Sequence, residues 1–304
     1  MPCMHRFDEK KFWVDPKKPL RLDKRSTQPD DQLDSKADAR AALAEDVTEL
    51  REAQQKLYAG QRNSVLVILQ GMDAAGKDGT IRHVLGGINP QGCRVYSFRA
   101  PNDAEVQHHF LCRPVPYLPA RGMISVFNRS YYEEVFVVRV HPEFLQRQCI
   151  PDVDLSDPGS LRRLWKRRYE EIRHFERALT DNGTLVLKFF LHISPDEQKE
   201  RMLERLTDPS KHWKFNPRDL DERRLWKDYR QAFQEGIRAT STTTAPWYII
   251  PADRKWYARA LIADILNSRI QKLRPEYPTA SPEDIARFDE AIRRLNNEPR
   301  SLFE

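Results

Sequence analysis

Residues Ser64 to Ile81 read SVLVILQGMDAAGKDGTI. Val65, Leu66, Val67, Ile68 and Leu69 form an unbroken apolar run with β-branched residues, which suits a strand buried on both faces of a parallel sheet. Gly71 and Gly76-Lys77 follow with the spacing G-x-x-x-x-G-K, and Gly79 to Leu85 has helical character. A strand, a tight glycine loop and a helix start make a phosphate cradle. Its backbone N–H groups and the positive end of the helix dipole face an anion, and Lys77 adds a full charge. The cradle so read runs over Gly71, Ala74, Ala75, Gly76, Lys77, Asp78 and Gly79.

Where the common form of this loop has Ser or Thr after the lysine, this chain has Asp78, and a second carboxylate, Asp73, sits inside the loop. Two acids in a phosphate cradle repel the ligand unless cations lie between them. The reading is therefore that Mg²⁺, or Mn²⁺ in its place, binds through carboxylate, with Asp73 as metal ligand or general base. For Asp78 two roles stand: part of the site, or a cap on the following helix.

The chain has 304 residues, enough for one large α/β core with a subsidiary lid. Its 51 Lys and Arg against 45 Asp and Glu leave +6, a small excess for a nucleic-acid binder but consistent with a polyanionic substrate if clustered. Cys3, Cys93, Cys112 and Cys149 form no C-x-x-C pair, so neither zinc nor a disulfide framework is expected and a reducing cytoplasm fits. No apolar run approaches the roughly 20 residues of a membrane span, and the N-terminal MPCMHRFDEKKFW lacks a signal-peptide apolar core.

Outward from the loop, residues 1–35 read as an arm lying on the domain, with Phe7, Phe12, Trp13, Val14, Leu20 and Leu22 scattered among Pro, Asp and Lys. Lys36 to Ala59 has helical periodicity. Cys93 to Phe98 is a second strand, leading to Arg99 and an expected helix over Glu105 to Arg113. Arg99, at the end of this strand, is either a contact for the phosphate acceptor or a solvated arginine. Met123 to Phe127 is a third strand ending in Asn128-Arg129-Ser130, with Glu133 and Glu134 one helical turn on. An Asp at such a strand end commonly helps hold Mg²⁺; here it is Asn128. Arg129 is placed to neutralise a transferring phosphoryl group, or else pairs with Glu133 or Glu134. His108, His109 and His141 match no metal spacing and are read as structural.

Leu161 to Leu179 is a periodic helix whose Arg162, Arg163, Lys166, Arg167, Arg168 and Arg173 read mostly as a solvated face. Thr184 to Ile193 is the fourth strand. Ser194 with Glu197 suggests a capping box opening a helix to Leu206, and a second helix is expected over Asp219 to Ala239. This basic, Pro-bearing pair reads as a lid at about 195–240 over phosphates, or as a solvated hairpin. Ala245 to Pro251 is the last strand and Trp256 to Leu273 the last long helix. The polar tail, 274–304, holds one helical pattern: Ile285, Phe288, Ile292 and Leu295. Strands and helices alternate throughout, the plan of a doubly wound α/β fold.

The motifs GMDAAGKDGTI (71–81), NPQGCRV (89–95), FNRSYYEEV (127–135), FFLHIS (189–194), DPSKHWKF (208–215) and APWYIIPADRKWYAR (245–259) occur in this order. In them the chain, from about Asp34 to Ile270, resembles the family 2 polyphosphate kinases. Asn128 and Glu133 look most like the family's class III branch, which phosphorylates nucleoside mono- and diphosphates. The resemblance implies a phosphate-loop kinase fold like that of thymidylate and adenylate kinases, over 36–273. It implies Asp73 for Mg²⁺ or acceptor activation, and Lys77 and Arg129 as phosphate grips. Arg205 would be a lid clamp, with Lys211 and Lys214 near the polyphosphate path; Arg99, Asn128 and Glu133 would serve the nucleotide, Glu133 admitting AMP beside ADP. His109 departs from the family pattern, where an acidic residue is expected, and the tail beyond Tyr277 is longer than usual. The expected partners are inorganic polyphosphate, AMP, ADP, ATP and other nucleotides, and a second copy of the chain in a dimer or tetramer, with no nucleic acid or membrane. Phosphoryl transfer needs mainly placement, Mg²⁺ and cations, and a repeating anion without a base needs only a groove of Lys and Arg. The rivals are an ATP-dependent nucleoside monophosphate kinase and a nucleotide- or polyanion-binding regulator without turnover.

Overall fold

The computed structural model describes residues 6–33 and 35–299; Cys3 and Asp34 lie outside them. In chain order the elements are α1 (Lys36–Gly60), β1 (Ser64–Gly71), α2 (Lys77–Val84), β2 (Cys93–Ser97), α3 (Asp103–Val106), β3 (Ile124–Asn128), α4 (Glu133–Val140), α5 (Pro158–Asp181), β4 (Thr184–His192), α6 (Pro195–Thr207), α7 (Arg218–Arg224), α8 (Trp226–Thr240), β5 (Trp247–Pro251), α9 (Lys255–Gln271) and α10 (Pro282–Asn296). The five strands form one parallel sheet in the order β2-β3-β1-β4-β5.

The apolar run of β1 is read by both faces. Val65, Val67 and Leu69 join Leu50, Leu57, Leu261 and Ile265 in one layer, beside α1 and α9. Leu66 and Ile68 join Tyr132, Phe136, Ile172 and Phe233 in the other, beside α4, α5 and α8. Right-handed crossovers explain the division: a connection that steps one way along the sheet covers one face, and a step the other way covers the opposite face. The chain steps from β1 towards the β2 edge, then crosses from β3 to β4. The loop after central β1 thus opens where the direction reverses, a place where α/β sheets leave a crevice for ligands.

The 6–33 segment closes the other edge. Trp13 makes an antiparallel bridge to Tyr248, Val14 N donates to Trp247 O and Ile249 N to Phe12 O, both at 2.9 Å. Phe7, Phe12, Val14, Leu20 and Leu22 are buried. The β5 edge is thereby covered, as sheet edges in stable proteins are.

Four local expectations need correction. The helix expected over Glu105 to Arg113 is only the short α3; Glu105 closes a capping box with Asn102, and the chain then folds back so that Arg113 Nε reaches Glu105 at 3.1 Å. The helix expected over Asp219 to Ala239 breaks at Leu225, where Leu225 packs into one apolar layer and Trp226 into the other. The Ser194 capping box is half made: Ser194 caps Glu197 N, but the Glu197 carboxylate holds Arg201 instead. Arg168 is not solvated; it is buried and bonded to Glu134 O at 2.9 Å and Glu134 Oε2 at 3.2 Å. Among the described residues no helix is long and apolar enough to cross a membrane.

Candidate active site

The loop between β1 and α2 turns on three left-handed residues: Gly71 at φ 152°, Gly76 at 106° and Ala74 at 63°. A Cβ on Gly71 would stand 2.8 Å from Leu191 O, so only glycine lets β1 end against β4 there. Gly76 is the residue before α2. Lys77 Nζ lies over the loop, donating to Gly71 O at 2.8 Å and Met72 O at 3.2 Å. Burial and the neighbouring Arg129 guanidinium push this ammonium down to about 8, against the pull of Asp73, Glu133 and Asp78. A lysine so desolvated gains strongly from an arriving phosphate.

Asp78 does not cap α2; it occupies the first turn, and its Oδ1 accepts from Asn128 Nδ2 at 2.7 Å. That bond ties the α2 start to the end of β3, where Asn128 Nδ2 also meets Ser97 Oγ at 3.3 Å. Next to it Arg129 has φ 64°, a strained conformation for a non-glycine residue. Its guanidinium bridges Asp73, at 2.7 Å, and Glu133, at 3.2 Å. Glu133, then Asp73, hold it firmly protonated against the effect of burial. The strained turn is anchored from below. Tyr131 and Tyr132 hydroxyls both donate to Glu176 at 2.8 Å, and fully buried Lys188 donates to Glu176 at 2.5 Å and to Thr240 O at 2.8 Å.

Two pockets meet at Arg129. One is charged, lined by Asp73 to Gly79 with Asn128 and Arg129, and by Arg205, Lys211 and Lys214 from the segment after β4. The other is lined by Phe98, Arg99, Phe110, Arg113, Val137 and Phe144, with Arg129 and Glu133 on its wall. The sequence-selected residues thus gather in one place, with Arg99 in the second pocket, away from the loop. Arg205 is paired with Asp219 at 3.2 Å, and burial and the nearby Asp73 push Asp219 up despite that partner. Lys211 is held by Glu204 and Asp208 at 2.7 and 2.6 Å.

Sequence reasoning missed four cations on the charged pocket: Arg82, Arg201, Lys255 and Arg259. Arg82 and Arg259 make no ion pair among the described residues, and Arg259 Nη2 would lie 3.1 Å from a Cβ on Gly79. A signal was present, since Lys255 and Arg259 are one helical turn apart in the 245–259 motif. Of the histidines, His141 is held between Glu143 and Glu222, at 3.1 and 2.9 Å, and His109 faces Glu171 at 3.5 Å.

Oxygen donors border the charged pocket: the carboxylates of Asp73 and Asp78, and Asn128 Oδ1, which is buried without a hydrogen-bond partner. Among the described residues no group of three or more His, Cys, Asp or Glu forms a metal cage. Few hard oxygens, to be completed by a ligand's phosphates, fit Mg²⁺, which is commonly held by one or two carboxylates and substrate oxygens.

The family model for polyphosphate kinase 2 matches residues 33–278. An ADP-polyphosphate phosphotransferase of Rhodopseudomonas palustris is 46% identical over 273 residues, covering 90% of this chain and 93% of its own. An AMP/ADP-polyphosphate phosphotransferase of Meiothermus ruber is 47% identical over 229 residues, covering 75% of this chain and 80% of its own. The crystal structure of polyphosphate kinase 2 from Arthrobacter aurescens superposes with a TM-score of 0.81 at 39% identity, covering 90% of this chain and 93% of that one. The loop, the strand order and these matches together make the chain a member of the polyphosphate kinase 2 family.

Proposed function

We propose that this chain transfers phosphoryl groups between inorganic polyphosphate and nucleotides, carrying AMP to ADP and ADP to ATP. One observation carries the reading: two unlike pockets share Arg129. The charged pocket has nine Lys and Arg side chains against four Asp and Glu, an excess that suits a repeating polyanion better than a single nucleotide. Its neighbour combines aromatic and aliphatic walls with Arg99 and Arg129, the mixture that a base with a phosphate needs. The named activities of the Rhodopseudomonas and Meiothermus relatives support the same substrates.

In the reaction the terminal phosphoanhydride P–O bond of polyphosphate breaks while a nucleotide phosphate oxygen forms a new one, leaving the chain one unit shorter. The attacking oxygen is already anionic, so no protein group has to remove a proton. The work left is to align two anions and screen their repulsion. Lys77, the loop amides and Arg205, Lys211 and Lys214 take the polyphosphate. Arg129 stands between donor and acceptor, oriented by Asp73 and Glu133. Asp73 would hold Mg²⁺ together with the substrates' phosphates, and the ion would supply further charge neutralisation. Glu133 borders the second pocket and Asn128 the charged one, beside Asp78; we assign both to acceptance of AMP, Asn128 from the phosphate-loop side.

Within this proposal, 1–35 is an arm, 36–273 the catalytic domain with a lid at about 195–240, and 274–304 a tail. A cytoplasmic homo-oligomer, dimer or tetramer, completes it. The test is ATP formation with Mg²⁺ and polyphosphate, AMP and ADP being supplied separately, for wild type and Asp73→Asn. Product from both nucleotides, lost in the variant, is expected. Product from ADP alone would remove the Glu133 assignment. Activity with ATP plus AMP but none with polyphosphate would establish an ordinary nucleotide kinase.

A further inference from the structure

A phosphate-binding loop turns its backbone N–H groups toward the anion, so the carbonyl groups of the same peptides must find partners elsewhere. Here five successive carbonyls, from Gly71 to Ala75, accept from side chains. Lys77 takes the first two. The next three are taken from α6: Gln198 Nε2 donates to Asp73 O at 3.1 Å, and Arg201 Nη1 to Ala74 O at 3.0 Å and Ala75 O at 2.7 Å.

The other Arg201 donors are also occupied. Nη2 reaches Ala252 O at 2.5 Å and Asp253 O at 3.3 Å, and Nε reaches Glu197 at 2.7 Å. All five N–H groups of a guanidinium are thus directed at protein oxygens, and Arg201 is only 5% exposed. Although it borders the pocket, it has no donor left for a phosphate. Gln198, 1% exposed, is itself fixed because its Oε1 accepts from Arg223 at 2.7 Å. The carbonyl that Arg201 holds on Ala74 belongs to the strained residue of the loop.

We infer that Gln198 and Arg201 are positioning residues for phosphoryl transfer. By holding the carbonyls of Asp73, Ala74 and Ala75, they fix the loop's backbone, in which Ala75 N closes a turn onto Met72 O at 3.1 Å, and keep the amides of Ala74 and Gly76 and the Asp73 carboxylate set against the pocket. This inference rests on the polyphosphate reading of that pocket. It requires the planar fork of Arg201 and not merely its charge, because one ammonium cannot reach four carbonyls and a carboxylate in these directions.

The test compares wild type, Arg201→Lys and Gln198→Leu. For each, Mg-tripolyphosphate and AMP binding are measured by calorimetry, kcat and KM are measured for both substrates, and thermal unfolding is followed. Arg201→Lys should lower tripolyphosphate affinity and kcat/KM for polyphosphate by roughly 10- to 100-fold while changing AMP affinity by less than about 2-fold. Gln198→Leu should show the same pattern at about 3- to 10-fold, and it carries the test if Arg201→Lys does not fold. Unchanged tripolyphosphate binding in a folded variant overturns the inference. So does a loss shared equally by AMP and tripolyphosphate that follows the melting temperature. If wild type binds AMP but no tripolyphosphate, the polyphosphate reading falls and the inference with it.

Discussion

Lys77 of the phosphate loop and the cations of residues 205–219 border one pocket but are held differently. Lys77 is 9% exposed and rests on backbone carbonyls; Arg129 is fixed by two carboxylates. Around the lid segment, Lys211 is tied to Glu204 and Asp208 at the surface, and Lys214 lies over the ring of Trp213, itself 78% exposed. Exposed ion pairs contribute little to stability, so on the proposed function Lys211 would exchange carboxylate for phosphate at little cost. A buried cation set in place before the substrate arrives acts in a lower dielectric, without reorganising. On the proposed function, Lys77 and Arg129 would serve the transition state, and Lys211 and Lys214 capture and release.

The largest effect should follow loss of buried Lys77 or of the guanidinium fork of Arg129. Lys77→Ala and Arg129→Lys are expected to lower kcat/KM for polyphosphate by about 10²- to 10³-fold, with kcat reduced as well as KM raised. Steady-state assays with each substrate varied in turn would check this, and a pure KM effect would erase the contrast drawn above.

A middle-sized effect is expected from pH. Lys77, pushed down to about 8, carries its charge below that value and loses it above. Polyphosphate affinity should therefore be full near neutrality and fall as pH rises, with KM climbing up to about 10-fold per unit well above 8. Asp208 and Glu204 instead hold the Lys211 ammonium up, so a Lys211→Ala variant should keep the same profile. A flat KM between about pH 7 and 9.5 would show that Lys77 does not titrate there.

The smallest effect belongs to the lid. Lys211→Ala and Lys214→Ala should each raise KM for polyphosphate by only about 2- to 5-fold, with kcat nearly unchanged, and the penalty should shrink as salt is added. Activity measured across a salt series would decide it. A fall in kcat equal to that of Lys77→Ala would put the lid cations in the transition state.

The contrast also explains what could be read from the sequence. All five strands and the phosphate loop were legible, because apolar runs and glycine spacing are local signals. Part of the charged pocket was legible through Gly76-Lys77, Asn128-Arg129 and the 208–215 motif, whereas Arg82, Lys255, Arg259 and the apolar walls of the second pocket were not. Gln198 and Arg201 were not, because their partners in the phosphate loop are backbone carbonyls more than a hundred residues away, and no periodicity reports such a contact. Arg168 and Arg201 resembled the solvated arginines beside them, since a basic helix does not announce which arginine turns inward. The break at Leu225 was hidden for a related reason. Trp226 to Thr240 and Arg218 to Arg224 each have helical composition, and only packing on two opposite layers separates them.

The seam between residues 12–14 and β5 bears on how the protein is made. Residues 7–22 emerge from the ribosome long before Trp247 to Pro251, yet Phe12, Val14 and Leu22 are buried only once the finished sheet offers its edge. Until then an apolar segment has no native surface to cover. Closing so long a loop is slow relative to local contacts. The seam therefore cannot close before β5 has been made, and through most of synthesis residues 12–14 lack their partner strand, a stage at which exposed apolar segments invite chaperones and wrong partners.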